Sequence, residues 1–534
     1  MKPTRIYSLL ALLYIAIVVL DCVWFALDDR PPIWDMAVHL TTALDFWETF
    51  KHASFSWTTL KSILLLGKYY PTLFPALMGI FFWVFHPSIH VGPAANFIPL
   101  AVLMAATYGV GRKLFSQQVG LLAAFLVATY PVMAWLAREA LLDLSLVAAV
   151  AVAAWAYLST ENFSSGQRSL LYGVTFALGF LTKHGFIFYA LPLALFALYE
   201  MATRDEAPLR RRSVRFRNFL MAHLVGIAGA ALWYAPHWSD VREYFLINRQ
   251  LHYVLQQPEF MTAPSLLYTL DALTRVHMLF VPFLFLLLGV FISLRRFPRR
   301  ALILYLGGFG SLAIMTFTLV HREVRMSVAS LPYLAILTAA GLFEIRSAVW
   351  RRALTAVLVV SASIEFGLIT FGIKAWPDSV RIYDSPTVQV NLYAQSYEHL
   401  VGPPRREEWK ILPILKRTKE DASQQGIGDP QLGIVPDLPR FNHFDFILYS
   451  RLEATPIQIE RIAQFSQLDP PAKVNYLLIK SGSQGEPGTT RGNAEINRDV
   501  ESDPLRFQKV ATFDLPDGSQ TSLYRQKNSS ATSR

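Results

Sequence analysis

Cysteine is almost absent: Cys22 is the single one in 534 residues, so no intramolecular disulfide can form. Any exported part of the chain must hold together by its own core. Charge is scarce too. Asp, Glu, Lys and Arg make up only 16% of residues against 53% hydrophobic. That leaves uninterrupted apolar runs of roughly 17–22 residues, the length that crosses a hydrocarbon core of about 30 Å. A soluble globular class is excluded, and the chain reads as a polytopic α-helical membrane protein. A small-residue cleavage site is also missing before Asp28. The run Ile6–Leu27 is therefore expected to stay as a first span rather than to leave as a signal peptide. No internal repeat is apparent, which counts against the inverted halves of a secondary transporter.

The net charge of +10 does not point to nucleic acid. From Lys374 onward the chain carries 20 basic and 20 acidic residues, which leaves 29 basic and 19 acidic before it. The excess gathers in short clusters: Arg112-Lys113, Arg168, Arg204 to Arg217, Arg295 to Arg300 and Arg346 to Arg352. This is the pattern of a positive-inside bias. With Lys2 and Arg5 in the cytoplasm, eleven spans are expected: 6–27, 93–113, 118–136, 141–158, 169–183, 185–200, 218–236, 276–294, 301–320, 327–345 and 353–372. The aromatic-proline segment Tyr70–Phe85 stays outside in this topology, because its crossing would turn every basic cluster outward. Residues 1–374 then form a membrane domain with an outer loop, 28–92, that carries interfacial helices.

Residues 375–534 change composition and are expected to form a small exported (periplasmic) α/β domain. Strand-like pieces occur at Leu432–Val435, Phe446–Tyr449, Val474–Lys480, Val510–Leu515 and Thr521–Arg525. Pro516-Asp517-Gly518 reads as a hairpin turn, and Thr455–Phe465 as a helix capped by Thr455 with Pro456 behind it. Stretches near 481–500 and at the tail read as flexible.

Ionisable residues at membrane depth are costly and point to function. Asp35, in Pro31-Pro32-Ile33-Trp34-Asp35-Met36, follows the first span and could serve as a general base. Arg138 and Asp143 bracket a short outer turn, where an arginine can hold a lipid phosphate by paired donors and Asp143 can orient a sugar. Lys183 breaks an apolar hairpin beside His184 and suits a phosphate clamp. His321 and Arg325 lie in His321-Arg322-Glu323-Val324-Arg325, an outward patch of positive charge fit for an anionic headgroup. Tyr70 opens the aromatic-proline segment. His252, in an aromatic loop, is a candidate metal ligand.

The order of these features resembles the GT-C glycosyltransferases of the dolichyl-phosphate-mannose–protein mannosyltransferase superfamily, which includes bacterial lipid A aminoarabinose transferases. The similarity rests on Trp34-Asp35 after the first span, Tyr70-Pro71 to Phe85, the region Gly120 to Asp143, Leu178-Gly179-Phe180-Leu181-Thr182-Lys183, and His321 to Pro332. It covers about residues 6–345, with the C-terminal domain beyond it. The resemblance implies a base role for Asp35 and a polyprenyl-phosphate sugar donor. It implies a lipid, glycan or protein acceptor at the outer face of an inner membrane, and a possible divalent cation. The alternative is a transporter or flippase of lipid-linked sugars.

Overall fold

The structure, a computed structural model, describes residues 3–54, 56–203, 209–255, 257–397, 401–462 and 474–527. Helix α1 (Pro3–Leu27) leads into an outer loop that carries α2 (Asp35–Lys51), α3 (Trp57–Leu64), α4 (Leu73–Phe85) and α5 (Val91–Ala94). A helical bundle follows: α6 (Phe97–Leu114), α7 (Gln117–Thr129), α8 (Pro131–Leu136), α9 (Asp143–Ser159), α10 (Gly166–Thr182), α11 (Ile187–Thr203) and α12 (Leu209–Tyr234). After α13 (Trp238–Val254) and α14 (Ala263–Ala272), the bundle closes with α15 (Phe280–Arg296), α16 (Pro298–Tyr305), α17 (Ser311–Thr318), α18 (Leu331–Phe343) and α19 (Ala348–Phe371).

Among the described residues, seven helical stretches are long and apolar enough to cross a membrane: Arg5–Leu27, Val91–Leu114, His184–Thr203, Arg211–Tyr234, Pro298–Thr318, Val324–Phe343 and Ala348–Phe371. The other four expected spans are present as shorter helices. Those over 141–158, 169–183 and 276–294 are α9, α10 and α15, each of 17 residues, or about 25 Å at 1.5 Å per residue. The span expected over 118–136 is divided: α7 stops at Thr129, and α8 restarts at Pro131, which has no N–H to continue the ladder. Pro298–Thr318 is one helix carrying a π-bulge over Leu306–Gly310.

The bundle is held by apolar burial and close helix approach. Helix α18 is its centre, buried at every residue from Leu331 to Leu342. Helices α6 and α7 cross at Gly111 and Gly120, where a Cβ on Gly111 would lie 2.7 Å from the Gly120 Cα. Small residues are what such a crossing requires. Helix α2 buries Met36, Ala37, Leu40 and Leu44 in the same core as Phe74, Met78 and Phe82 of α4. The polar side of α2 is thereby left to face outward.

Beyond α19 the chain first forms an antiparallel ribbon, β1 (Ser379–Asp384) with β2 (Gln389–Ala394). A five-stranded mixed sheet follows, built from β3 (Gln431–Ile434), β4 (Gln458–Arg461), β5 (Tyr476–Lys480), β6 (Phe507–Asp514) and β7 (Gln520–Gln526) in the order β4-β3-β5-β7-β6. Strands β4, β3 and β5 run parallel, and the β6–β7 hairpin turns at the expected Pro516-Asp517-Gly518. Helices α20 (Ile411–Gln424), α21 (His443–Leu452) and α22 (Asn493–Ser502) complete it.

Three local expectations are corrected here. Phe446–Tyr449 is helical, within α21, because Asn442 and Asp445 form a capping box at its start. Gln458–Arg461 is strand β4, not helix, because the edge of β3 supplies its backbone partners; residues 463–465 lie outside the described residues. The stretch 481–500 is ordered. Gln484 donates to the carbonyls of Lys480 and Gly482, Asn493 to that of Val435 and Asn497 to that of Lys480, and α22 starts within it. The tail beyond Lys527 also lies outside the described residues.

The C-terminal part sits on the outer loop. The Asp28 Oδ1 accepts from the Arg405 backbone N–H at 2.9 Å and the Asp29 Oδ1 from that of Glu407 at 2.8 Å. Arg451 pairs with Asp45 at 2.6 Å and Glu48 at 3.1 Å on α2.

Candidate active site

Asp35 is the first residue of α2, where the unpaired N–H groups of the first turn favour a carboxylate. Trp34 before it has φ 23° and ψ −95°, a backbone region that a residue with a side chain adopts only when its surroundings impose it. Those surroundings belong to the C-terminal part. The Trp34 N–H donates to the Pro439 carbonyl at 3.2 Å, and its indole Nε1–H donates to the Asp437 Oδ1 at 3.3 Å. Asp437 is held in turn by Arg461 at 2.8 Å.

The Asp35 Oδ2 accepts from the Arg325 Nη2 at 2.6 Å. Arg325 lies in a 3₁₀ turn, Val324–Ser330, that opens the central helix α18. Its Nε–H also donates to Glu323, and His321 Nε2 meets the other Glu323 oxygen at 3.1 Å. The result is a continuous row, His321–Glu323–Arg325–Asp35. Burial alone would raise the Glu323 carboxyl, but Arg325 and His321 outweigh it and hold it well below the usual carboxylate range. About a third of the Asp35 side chain stays exposed, so a substrate can reach it.

A second pair stands beside this row. Lys183, just past the end of α10, donates to the Asp143 Oδ1 at 2.6 Å, at the start of α9. The Asp143 Oδ2 is buried and has no hydrogen-bond partner among the described residues. His39, one turn into α2, is buried between the two pairs. Burial pushes its imidazole down to about 4, Asp35 and Asp143 pull it up, and Arg325 and Lys183 push it further down. One neutral ring thus reports all four charges. Aromatic rings wall the cluster: Tyr70 meets His39 edge-on at 4.9 Å and Tyr244 at 5.0 Å between centroids. Burial first, and Asp35 second, raise the Tyr70 phenol well above its ordinary value, so it remains a neutral donor.

Among the sequence-predicted residues, the structure brings together Asp35, Arg325, His321, Lys183, Asp143 and Tyr70. Arg138 lies elsewhere. It is buried, donates to Asp21 on α1 at 2.7 Å and to the Thr370 hydroxyl on α19 at 2.7 Å, and packs over the Trp24 and Phe366 rings. Its Nε and Nη2 thus tie the turn before α9 to α1 and α19. His252 ends α13 with its ring against Tyr253. Among the described residues, no three His, Cys, Asp or Glu side chains are grouped to hold a metal ion, so His252 has no ligand set to join. Arg322 points away from the row and donates to the Ser265 and Thr316 carbonyls.

This geometry stands on a known scaffold. The structure overlays that of ArnT from Cupriavidus metallidurans in the apo state with a TM-score of 0.60 at 13% identity, covering 96% of this chain and 97% of that one. ArnT from the same organism bound to undecaprenyl phosphate gives a TM-score of 0.58 at 12% identity, over 98% and 99% of the two chains. The fold is GT-C. An Archaeoglobus fulgidus oligosaccharyltransferase in the apo form overlays with a TM-score of 0.49 at 12% identity, over 86% of this chain and 64% of that one. Residues 70–238 match the family model described as dolichyl-phosphate-mannose-protein mannosyltransferase. This GT-C segment contains Tyr70, Asp143 and Lys183, while Asp35 and Arg325 flank it. No curated protein matches by sequence. The likeness was expected to stop near residue 345, yet the ArnT overlay runs through the C-terminal sheet.

Three contributors to this cluster are not singled out in the sequence: His39, Glu323 and Tyr244. Glu323 had a readable signal, since in an extended run residues two apart project to one side, which sets it between His321 and Arg325. His39 had a weaker one, its spacing of four residues from Asp35, and Tyr244 had none.

Proposed function

We propose that the chain is a hexosyl- or pentosyl-type glycosyltransferase. It moves a sugar from a polyprenyl-phosphate-linked donor to a hydroxyl or phosphate on a lipid, glycan or protein acceptor. The carrying observation is the contact of Asp35 with Arg325, 290 residues apart, beside the Lys183–Asp143 pair. Two cations and one accessible carboxylate at one mouth suit an anionic leaving group and a proton-losing nucleophile. The reaction follows from that. The acceptor oxygen attacks the anomeric carbon and gives its proton to Asp35. The bond from that carbon to the phosphate oxygen breaks, and the polyprenyl phosphate leaves with the electron pair toward Lys183 and Arg325, an electrostatic stabilisation. A single displacement inverts the anomeric configuration. Asp143, through its open oxygen, and Tyr70 orient the sugar or acceptor, and Glu323 with His321 fixes the Arg325 guanidinium.

The same reading sets residues 1–374 as the catalytic membrane domain and 375–534 as an exported domain. The N-terminus is cytoplasmic and the site faces outward from an inner membrane. The test is transfer of a labelled sugar from its polyprenyl-phosphate donor by purified, reconstituted protein. A general base is worth on the order of 10²–10⁴ in rate, so Asp35→Asn loses that factor at normal yield. Wild-type transfer by Asp35→Asn rules the base assignment out.

A further inference from the structure

On the opposite side of α19 from Arg138's partner Thr370 lies an open groove that the proposed reaction does not use. It has a volume of about 520 Å³, within the roughly 300–1,000 Å³ of small-molecule sites. Val281 of α15 and Val360, Ile364 and Leu368 of α19 form its walls, and Trp376, just past α19, and Tyr393 of β2 line it at the ribbon end. Val360 and Ile364 are more than half exposed, so in a bilayer this face meets lipid. One residue contradicts a purely apolar purpose. Glu365 is 3% exposed and lines the groove, yet it has no cationic partner among the described residues. Its Oε1 accepts from the Ser361 hydroxyl at 3.0 Å, and its buried Oε2 has no hydrogen-bond partner among the described residues. A carboxyl oxygen left so in hydrocarbon is costly unless something completes it.

We infer that this groove is a lipid site separate from the sugar-donor site, and that its occupant is an acyl lipid whose chain-linkage ester or amide carbonyl accepts a hydrogen bond from the O–H of a neutral Glu365 carboxyl. Depth selects the class. Glu365 lies six residues before the end of α19 at Phe371, about 9 Å along the helix at 1.5 Å per residue. Trp376 and Tyr393, whose ring centroids are 5.5 Å apart, mark the interface level above it. A ligand with its headgroup at those rings therefore needs a second polar group below the headgroup. Acyl lipids carry one at their chain linkages. A polyprenyl phosphate is bare hydrocarbon below its phosphate and would leave the Glu365 Oε2 unsatisfied.

The site also has a structural route to the catalytic row. Strand β2 is tied to the 273–277 turn by Thr274 donating to the Gln389 carbonyl at 2.8 Å and Asn391 donating to the Arg275 carbonyl at 2.9 Å. His277 Nε2 in that turn meets the Val324 carbonyl, next to Arg325, at 2.8 Å.

The experiment is photo-crosslinking on the full-length protein, read by mass spectrometry and not by sugar transfer, so its failure and that of the proposed activity are distinguishable. The two probes are phosphatidylglycerol with a diazirine in one acyl chain and polyprenyl phosphate with the same diazirine. The acyl probe is expected to label residues 356–368 and 376–393 in preference to the polyprenyl probe. Val360→Trp, at an exposed position that tolerates bulk, fills the groove and cuts that labelling about tenfold. Glu365→Leu lowers it by about two- to tenfold, the worth of one lost hydrogen bond, whereas Glu365→Gln stays within about twofold. Preferential labelling by the polyprenyl probe, unchanged labelling in Val360→Trp, or unchanged labelling in Glu365→Leu overturns the inference.

Discussion

Asp437→Ala should slow sugar transfer although Asp437 belongs to the C-terminal sheet domain and not to the catalytic row. Trp34 holds a backbone conformation worth about 1–3 kcal/mol of strain for a residue with a side chain, and Asp35 starts its helix on the next peptide. Two bonds from the C-terminal part impose that conformation: the Pro439 carbonyl at 3.2 Å and the Asp437 carboxylate at 3.3 Å. A hydrogen bond to a charged group contributes about 1.5–3 kcal/mol. At 3.3 Å, longer than the usual charge-assisted bond, the low end applies. Losing about 1.4 kcal/mol lets Trp34 relax in most molecules, which is a tenfold change in the competent fraction. The expected result is a drop in kcat/KM of about tenfold in Asp437→Ala, with donor binding to the Lys183 side little changed. Asp437→Asn keeps an acceptor for the indole and should stay within about threefold of wild type. Steady-state kinetics on reconstituted protein, with thermal unfolding to show that the sheet domain is intact, decides it. Wild-type kcat/KM in a folded Asp437→Ala refutes the view that the C-terminal domain positions the catalytic carboxylate.

Lys183→Met should raise KM for the polyprenyl-phosphate donor by about 10- to 100-fold, the value of one charge-assisted contact of about 1.5–3 kcal/mol, measured by donor titration. Arg138→Met should destabilise the protein by about 3–5 kcal/mol, because it strands the buried Asp21 carboxylate. The double variant Asp21→Asn, Arg138→Met should recover most of that in thermal unfolding and keep transfer activity; a folded but inactive double variant would return Arg138 to the donor site. His39, ordinarily near 6.5 and held at about 4 in the folded protein, sets a pH slope. Between those values the unfolded chain binds a proton that the folded one refuses, so stability falls as pH drops through that window, by up to about 3 kcal/mol, and is flat above it. His39→Gln should remove that slope from melting temperatures recorded between pH 4 and 8.

The sequence pattern locates the apolar helices of the bundle because hydrocarbon length and charge scarcity are properties of single segments, but it reads the 17-residue α13 as a loop. Where it fails, a partner distant in sequence can supply what the local pattern lacks. The strand edge of β3 turns Gln458–Arg461 from a capped helix into β4, whereas Phe446–Tyr449 is helical for a local reason, the Asn442–Asp445 box directly before it. The site divides the same way. Asp35, Lys183, Asp143 and Arg325 are legible because each is a charge that an apolar context makes conspicuous. Arg138 is equally conspicuous, but its partner Asp21 lies inside an apolar span 117 residues away, which no local pattern shows.

His39 is the clearest case of what a linear reading misses. It stands four residues after Asp35, a spacing that places both on one face of α2. Yet its neutrality depends first on burial, with Arg325 and Lys183 offsetting Asp35 and Asp143, and all of these surround it only after α10 and α18 have packed. Trp34 carries the same lesson to the backbone, for its conformation is set by residues some 400 positions later. A carboxylate placed by a distant domain is competent only when that domain is docked. Asp35 therefore acquires its orientation from the whole chain, and the C-terminal sheet contributes to placing it as much as the helix that bears the acid.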